Sequence, residues 1–115
     1  IRAKGAEVGI FHAAEFNPSQ TGDYAGIAFG CPSMGAEELE ADEFEPVYRA
    51  AMPQLSGTPV ALFGSYGSGD GEWMRNWEER CIQDGASLVS ASVICNEAPD
   101  DEALSACRAL GAALA

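Results

Sequence analysis

Histidine is nearly absent from this 115-residue chain, which has only His12, and the four cysteines, at 31, 81, 95 and 107, include no C-x-x-C pair. Structural zinc draws its ligands from close Cys and His pairs, so this spacing excludes such a site. Bases are scarce as well: 6 Lys+Arg face 18 Asp+Glu, for a net charge of -12 and a pI near 4.1. Affinity for nucleic acid comes mainly from neutralising phosphates, so nucleic acid is excluded as a partner, and anionic membrane surfaces with it. Long apolar runs are also missing. The longest, such as Pro59-Val60-Ala61-Leu62-Phe63, fall far short of the ~20 residues of a bilayer-spanning helix. The chain opens on Ile1, inside what reads as a helix end (Ile1-Arg2-Ala3-Lys4-Gly5), which predicts a segment upstream.

What is present describes one soluble domain over residues 1–115. Apolar residues make up 47% and charged residues 21%, with a mean hydropathy of -0.06. A chain of this length buries roughly two-thirds of its unfolded surface, enough for one core without disulfide staples. Free, buried thiols in a reducing cytoplasm are the expectation.

Short β-prone runs alternate with amphipathic stretches. Glu7–His12, Tyr24–Gly30, Pro59–Phe63 and Leu88–Cys95 read as strands; Gly5 suits a helix cap and Asn17-Pro18-Ser19 a break. Phe44, Val47, Tyr48, Ala51 and Leu55 recur at helical spacing, with Pro46 in the first turn, where proline is tolerated. Trp73, Trp77 and Cys81 fall four apart before Asp84-Gly85, and the last helix starts after Pro99 and turns Leu104, Cys107, Leu110 and Leu114 inward. Strand and helix in alternation predict an α/β fold with a mainly parallel sheet.

In such a sheet, ligands sit outside the carboxyl ends of the strands. The residues there are Cys31-Pro32-Ser33-Met34-Gly35-Ala36-Glu37-Glu38 and a run from Gly64 to Met74 with four glycines in its first eight residues. Glycine leaves backbone N–H groups uncovered for a planar or anionic ligand, although a tight strand-to-helix connection asks for the same residue. No nucleophile is readable: Ser65 lies in no G-x-S-x-G elbow because Phe63 stands at its first glycine, and no carboxylate has a histidine partner.

The two loops, with Phe44-Glu45-Pro46 and Asn96-Glu97-Ala98-Pro99-Asp100, resemble the corresponding segments of short-chain bacterial flavodoxins over essentially all 115 residues. The resemblance implies a flavodoxin-like, doubly wound parallel sheet in three α/β/α layers, in which flavodoxin itself is the standard example of strand order 2-1-3-4-5 with FMN at the switch point. It also implies that the family's first, central strand and its hydroxyl-rich phosphate loop would lie upstream of Ile1. By the same resemblance, Ser33 and Met34 belong to the loop over the inner face of the isoalloxazine. Gly35-Ala36 is the peptide whose carbonyl turns toward flavin N5 on one-electron reduction, and Glu37 accepts from N3–H. Ser65 stands near the phosphate, the backbone at Gly67 and Gly69 lies along the ring edge, Ser68 takes the position over the outer ring face, and Tyr66 is the neighbouring aromatic. Ser68 departs from the family, which usually places a stacking aromatic there; Trp73, at helical spacing from Trp77, reads as core.

The function implied is a low-potential one-electron carrier on noncovalent FMN, an electron-transfer protein and not an enzyme. Its partners would be basic redox proteins such as reductases and oxidoreductases. Ser68 and the upstream position of the phosphate loop keep an alternative open, a flavodoxin-like interaction or scaffold module without flavin. A flavin reductase is disfavoured because no nicotinamide site is readable. Six acids in nine residues (Glu37, Glu38, Glu40, Asp42, Glu43, Glu45) read either as a solvated helix start or as a docking patch for such partners.

Overall fold

A computed structural model describes residues 1–34 and 38–115. Strands β1 (Ile27–Gly30), β2 (Pro59–Tyr66), β3 (Ser87–Leu88) and β4 (Val93–Asn96) form one parallel sheet, alternating with helices α1 (Phe44–Ala51), α2 (Glu72–Gln83) and α3 (Asp101–Leu114). The longest strand, β2, is the hub. β1 lies along one side of it, with Ile27 opposite Val60 and Gly30 opposite Phe63. The other side is shared: β3 pairs with its start at Pro59 and Val60, and β4 with its end from Phe63 to Tyr66.

Period-2 alternation along β2 sorts its residues between the two faces. Val60 and Leu62, with Phe29 of β1, join a core built on Tyr48, Ala51 and Leu55 from the α1 side and Trp73, Trp77 and Cys81 from α2. Ala61 and Phe63 look the other way, into an apolar groove shared with Leu104 and Leu110 of α3. Helices thus cover both faces of the sheet in three layers. Among the described residues no helix is long and apolar enough to cross a membrane.

The aromatic spacing in α1 and α2 is realised in contact. The Trp77 ring lies 5.4 Å from Phe44 and 5.8 Å from Tyr48, while Tyr48 Oη and Cys81 Sγ are 2.7 Å apart in a hydrogen bond that either can donate. Burial therefore holds both groups in their neutral forms, pushing the Tyr48 hydroxyl and the Cys81 thiol up from their ordinary values. The Arg80 guanidinium covers the Tyr48 ring at 4.9 Å.

Several expectations need correction. Glu7–His12 follows the Gly5 cap (φ 86) as predicted but forms no strand, because a strand exists through its ladder and no described residue pairs with this segment; Ile10 is 79% exposed. The second strand starts at Ile27, not Tyr24, since the Tyr24 amide is spent on Thr21 in the preceding turn. The run 88–95 divides into β3 and β4. Between them Glu78 of α2 takes both the amide and the hydroxyl of Ser92, so that amide is diverted from the ladder. In α3, Ala103 and Leu110 are buried while Leu104 remains 40% exposed. Cys31 and Cys81 are buried free thiols; Cys95 and Cys107 are free but half-buried.

Candidate functional site

Three loops meet at the carboxyl ends of the strands, and β2 holds them. Beyond the end of β1 the chain stays attached to β2: the Cys31 amide donates to the Phe63 carbonyl (3.2 Å) and the Ser33 amide to that of Ser65 (2.9 Å). One residue on, the Tyr66 carbonyl accepts from the Glu97 amide (2.8 Å) and from Asn96 Nδ2 (3.3 Å). Glu97 takes the left-handed conformation (φ 57), which disfavours a residue with a side chain, so this turn is held by its surroundings.

Gly64 lets the first two loops approach this closely. A Cβ there would run into the carbonyl oxygen of Cys31, a backbone atom with no freedom to retreat, and would crowd Trp73 at 3.2 Å. Farther along, Gly69 (φ 83) and Gly71 (φ 91) need the conformational freedom of glycine, and a Cβ on Gly67 would meet nothing within 4 Å. Arg75 folds the loop back onto α2, donating to the Asp70 carboxylate (3.0 Å) and carbonyl (3.2 Å).

The loop between β1 and α1 is built as a stem. Met34 and Glu38 exchange backbone hydrogen bonds of 2.8 and 3.0 Å, leaving the Met34 side chain 46% exposed. Behind this stem Glu40 has an unusual set of contacts. Its Oε1 accepts from the Asp42 amide (2.7 Å), and its Oε2 from those of Glu43 and Phe44 (2.8 Å each). Its carbonyl accepts from the Glu45 amide at 2.9 Å. Four successive amides entering α1 are thus satisfied by one residue, where helices normally leave such donors unpaired. The backbone N–H bonds from Phe44, Glu43 and Asp42 hold the Glu40 carboxyl below its ordinary value. The Glu40 amide in turn donates to Cys31 Sγ (3.4 Å), a buried thiol pushed up by desolvation.

Of the residues expected at the site, Ser33 and Met34 lie on the loop after β1, Ser65 and Tyr66 are the last two residues of β2, and Gly67, Ser68 and Gly69 begin the loop that follows. Gly35, Ala36 and Glu37 fall outside the described residues. Ser68 is exposed, and Trp73, only 2% exposed, belongs to the core, as its spacing indicated; Tyr66 packs on it with ring centroids 5.5 Å apart. The acidic run is not a uniform patch. Glu45 pairs with Arg80 (2.6 Å) and Glu40 is occupied with amides, whereas Glu38, Asp42 and Glu43 are exposed. Sequence reasoning missed the Glu40 cap, which was hidden among five other acids, and the Asn96 side-chain tie, which no motif announces. Among the described residues no group of three or more His, Cys, Asp and Glu could hold a metal. The arrangement sets uncovered glycine backbone and an exposed methionine on loops at the same end of the sheet, surfaces suited to a flat ligand.

Comparison with known proteins agrees. The family model described as flavodoxin matches residues 1–111. A flavodoxin of Megasphaera elsdenii is 39% identical over 115 residues, covering all of this chain and 82% of the relative; one of Clostridium beijerinckii is 39% identical over 101 residues, covering 88% and 73%. The solution structure of two-electron reduced Megasphaera elsdenii flavodoxin superposes with a TM-score of 0.88 at 40% identity, over 98% of this chain and 80% of that one. With this fold and these loops, the chain belongs to the flavodoxin family, carriers of electrons on FMN.

Proposed function

We propose that the isoalloxazine of FMN sits between Met34 and the 67–69 turn, with Ser33, Gly35, Ala36, Glu37, Ser65 and Tyr66 completing the cofactor site, and that the protein passes single electrons to basic redox proteins. The convergence of the three loops on the end of β2, with open space over Gly67, is the observation that carries the reading. The residues fit a flat, partly apolar ring: Met34 offers an exposed apolar surface and Gly67 no side chain. When bound, the flavin supplies one-electron chemistry. The protein's part is positional and electrostatic. The Ser33–Ser65 and Glu97–Tyr66 hydrogen bonds fix the loop separations, and the surrounding carboxylates disfavour added negative charge at this site. Exposed Glu38, Asp42 and Glu43 beside it support a basic partner, steered over about one Debye length and screened by salt. A cytoplasmic setting, where thiols stay reduced, agrees with four free cysteines.

The direct test is titration of the flavin-free protein with FMN, followed by quenching of flavin fluorescence. Saturable one-to-one binding is expected, and no binding would instead favour a flavin-free interaction module. Ser68→Trp is expected to tighten binding about two- to tenfold, the effect of one added aromatic stack of about 0.5–1.5 kcal/mol. An unchanged or weaker affinity would remove Ser68 from the ring face.

A further inference from the structure

The stem of the β1–α1 loop is held by an unusual device. Packing supports it only in part: Leu39 lies against the core, but an open pocket of about 370 Å³ adjoins it, lined by Glu38, Leu39, Ala41, Trp73, Trp77 and Arg80 among others. Hydrogen bonds supply the rest, and they converge on Glu40. Its amide reaches back to buried Cys31 at the root of the loop, and its carboxylate and carbonyl reach forward to the four amides of 42–45. Glu40 lies two residues after Glu38, whose backbone closes the stem on Met34.

We propose that Glu40 is a positioning residue for the redox cofactor: by clamping the Met34–Glu38 stem between Cys31 and α1, it holds Met34 and Glu38 at a fixed spacing beside the cofactor. The proposal rests on the FMN reading above. A hydrogen bond gained by the cofactor in only one redox state is strongest when its partner is held ready, because little ordering then opposes it. The clamp therefore acts on the difference between redox states, which separates it from an ordinary helix cap.

The test uses the whole protein as Glu40→Gln, with Glu43→Gln as a control of equal charge; Glu43 adjoins the cap but makes no side-chain capping bond. Two measurements are made. In the flavin-free protein, exchange of the Met34 and Glu38 amides is expected to quicken at least tenfold in Glu40→Gln and to stay near the parent rate in Glu43→Gln. In the FMN-loaded protein, the separation between the two one-electron midpoint potentials is expected to narrow by a tenfold change in the corresponding equilibrium, ~59 mV for one electron, in Glu40→Gln alone. Cys31→Ala, which removes the acceptor for the Glu40 amide together with the thiol's 3.4 Å contact to the Pro32 carbonyl, is expected to shift both in the same direction by less, and it serves if Glu40→Gln does not fold. Equal potential shifts in Glu40→Gln and Glu43→Gln would mean that charge alone acts, overturning the proposal. Faster exchange with unchanged potentials would reduce Glu40 to a structural cap, also overturning it. Absence of FMN binding by the parent protein would overturn the FMN reading and this proposal together, a failure recognisable before any variant is made.

Discussion

Among the described residues, the two faces of the sheet differ in how far they are buried. On the α1 and α2 face, Tyr48, Ala51, Leu55, Val60 and Cys81 have no exposed surface, and two tryptophans and two phenylalanines interlock with them. On the α3 face, Ala61 and Leu110 are buried, but Phe63 is 41% and Leu104 40% exposed along an open groove. Helix α3 is nonetheless well formed, with the Asp100 carboxylate accepting from the Ala103 amide at its start and Asp101 and Glu102 in its first turn. The difference teaches that a helix can owe its existence to local chemistry while its contribution to stability depends on what lies beneath it. Full burial of a large apolar side chain is worth about 1.5–3 kcal/mol, and the α3 face collects only part of that per residue.

Denaturation of variants from each face sharpens the contrast. Trp77→Ala should have the largest effect, a loss of about 3–5 kcal/mol, since it empties the centre of the aromatic cluster; a loss near 1 kcal/mol in chemical denaturation would show that the first face is not the stabilising one. Gly64→Ala comes next. Its Cβ is directed at the Cys31 carbonyl, so about 1–3 kcal/mol should be lost together with FMN affinity. Gly30→Ala provides the internal comparison, because the obstacle there is the end of the Phe63 ring, which can turn into the groove, and the loss should be smaller. Tyr48→Phe removes the partner of Cys81 and should cost about 1 kcal/mol in thermal unfolding.

A further effect is read along pH. The folded-state value of Glu40 lies below its ordinary value near 4.5, so its contribution is present above that value and is lost as pH falls through the lowered folded one. Acid unfolding of the parent protein should therefore be steeper in this range than that of Glu40→Gln, and superimposable curves would deny the carboxylate its role. Leu104→Ala should be among the mildest, about 1 kcal/mol, because the residue keeps 40% of its surface in water and its loss opens no closed cavity. A loss matching that of Trp77→Ala would erase the distinction between the faces.

Much of this was legible in the residues. The 3.6-residue spacing of Trp73, Trp77 and Cys81 and the acids after Pro99 announced α2 and α3. The glycine-rich run from Gly64 marked the turn at the end of β2 against which the flavin is proposed to sit. Elsewhere the signal was ambiguous because the deciding partner is remote in sequence. Ser92 leaves the ladder for Glu78, and Glu7–His12 has β-prone residues but, among the described residues, no strand to pair with. Glu40 could not be distinguished from Glu43 by charge or propensity, since only the path of the loop brings its carboxylate to three amides.

The sequence by itself determined the alternation of elements, the acidic start of α3, the acidity and the family, because periodicity, turn chemistry and motif are written in neighbouring residues. Tertiary structure alone decided which acids face solvent and which hold the backbone, where β3 ends and β4 begins, and how completely each face of the sheet is covered. Those outcomes depend on hydrogen bonds and burial between residues distant along the chain. Their energies exist only after the chain has closed on itself.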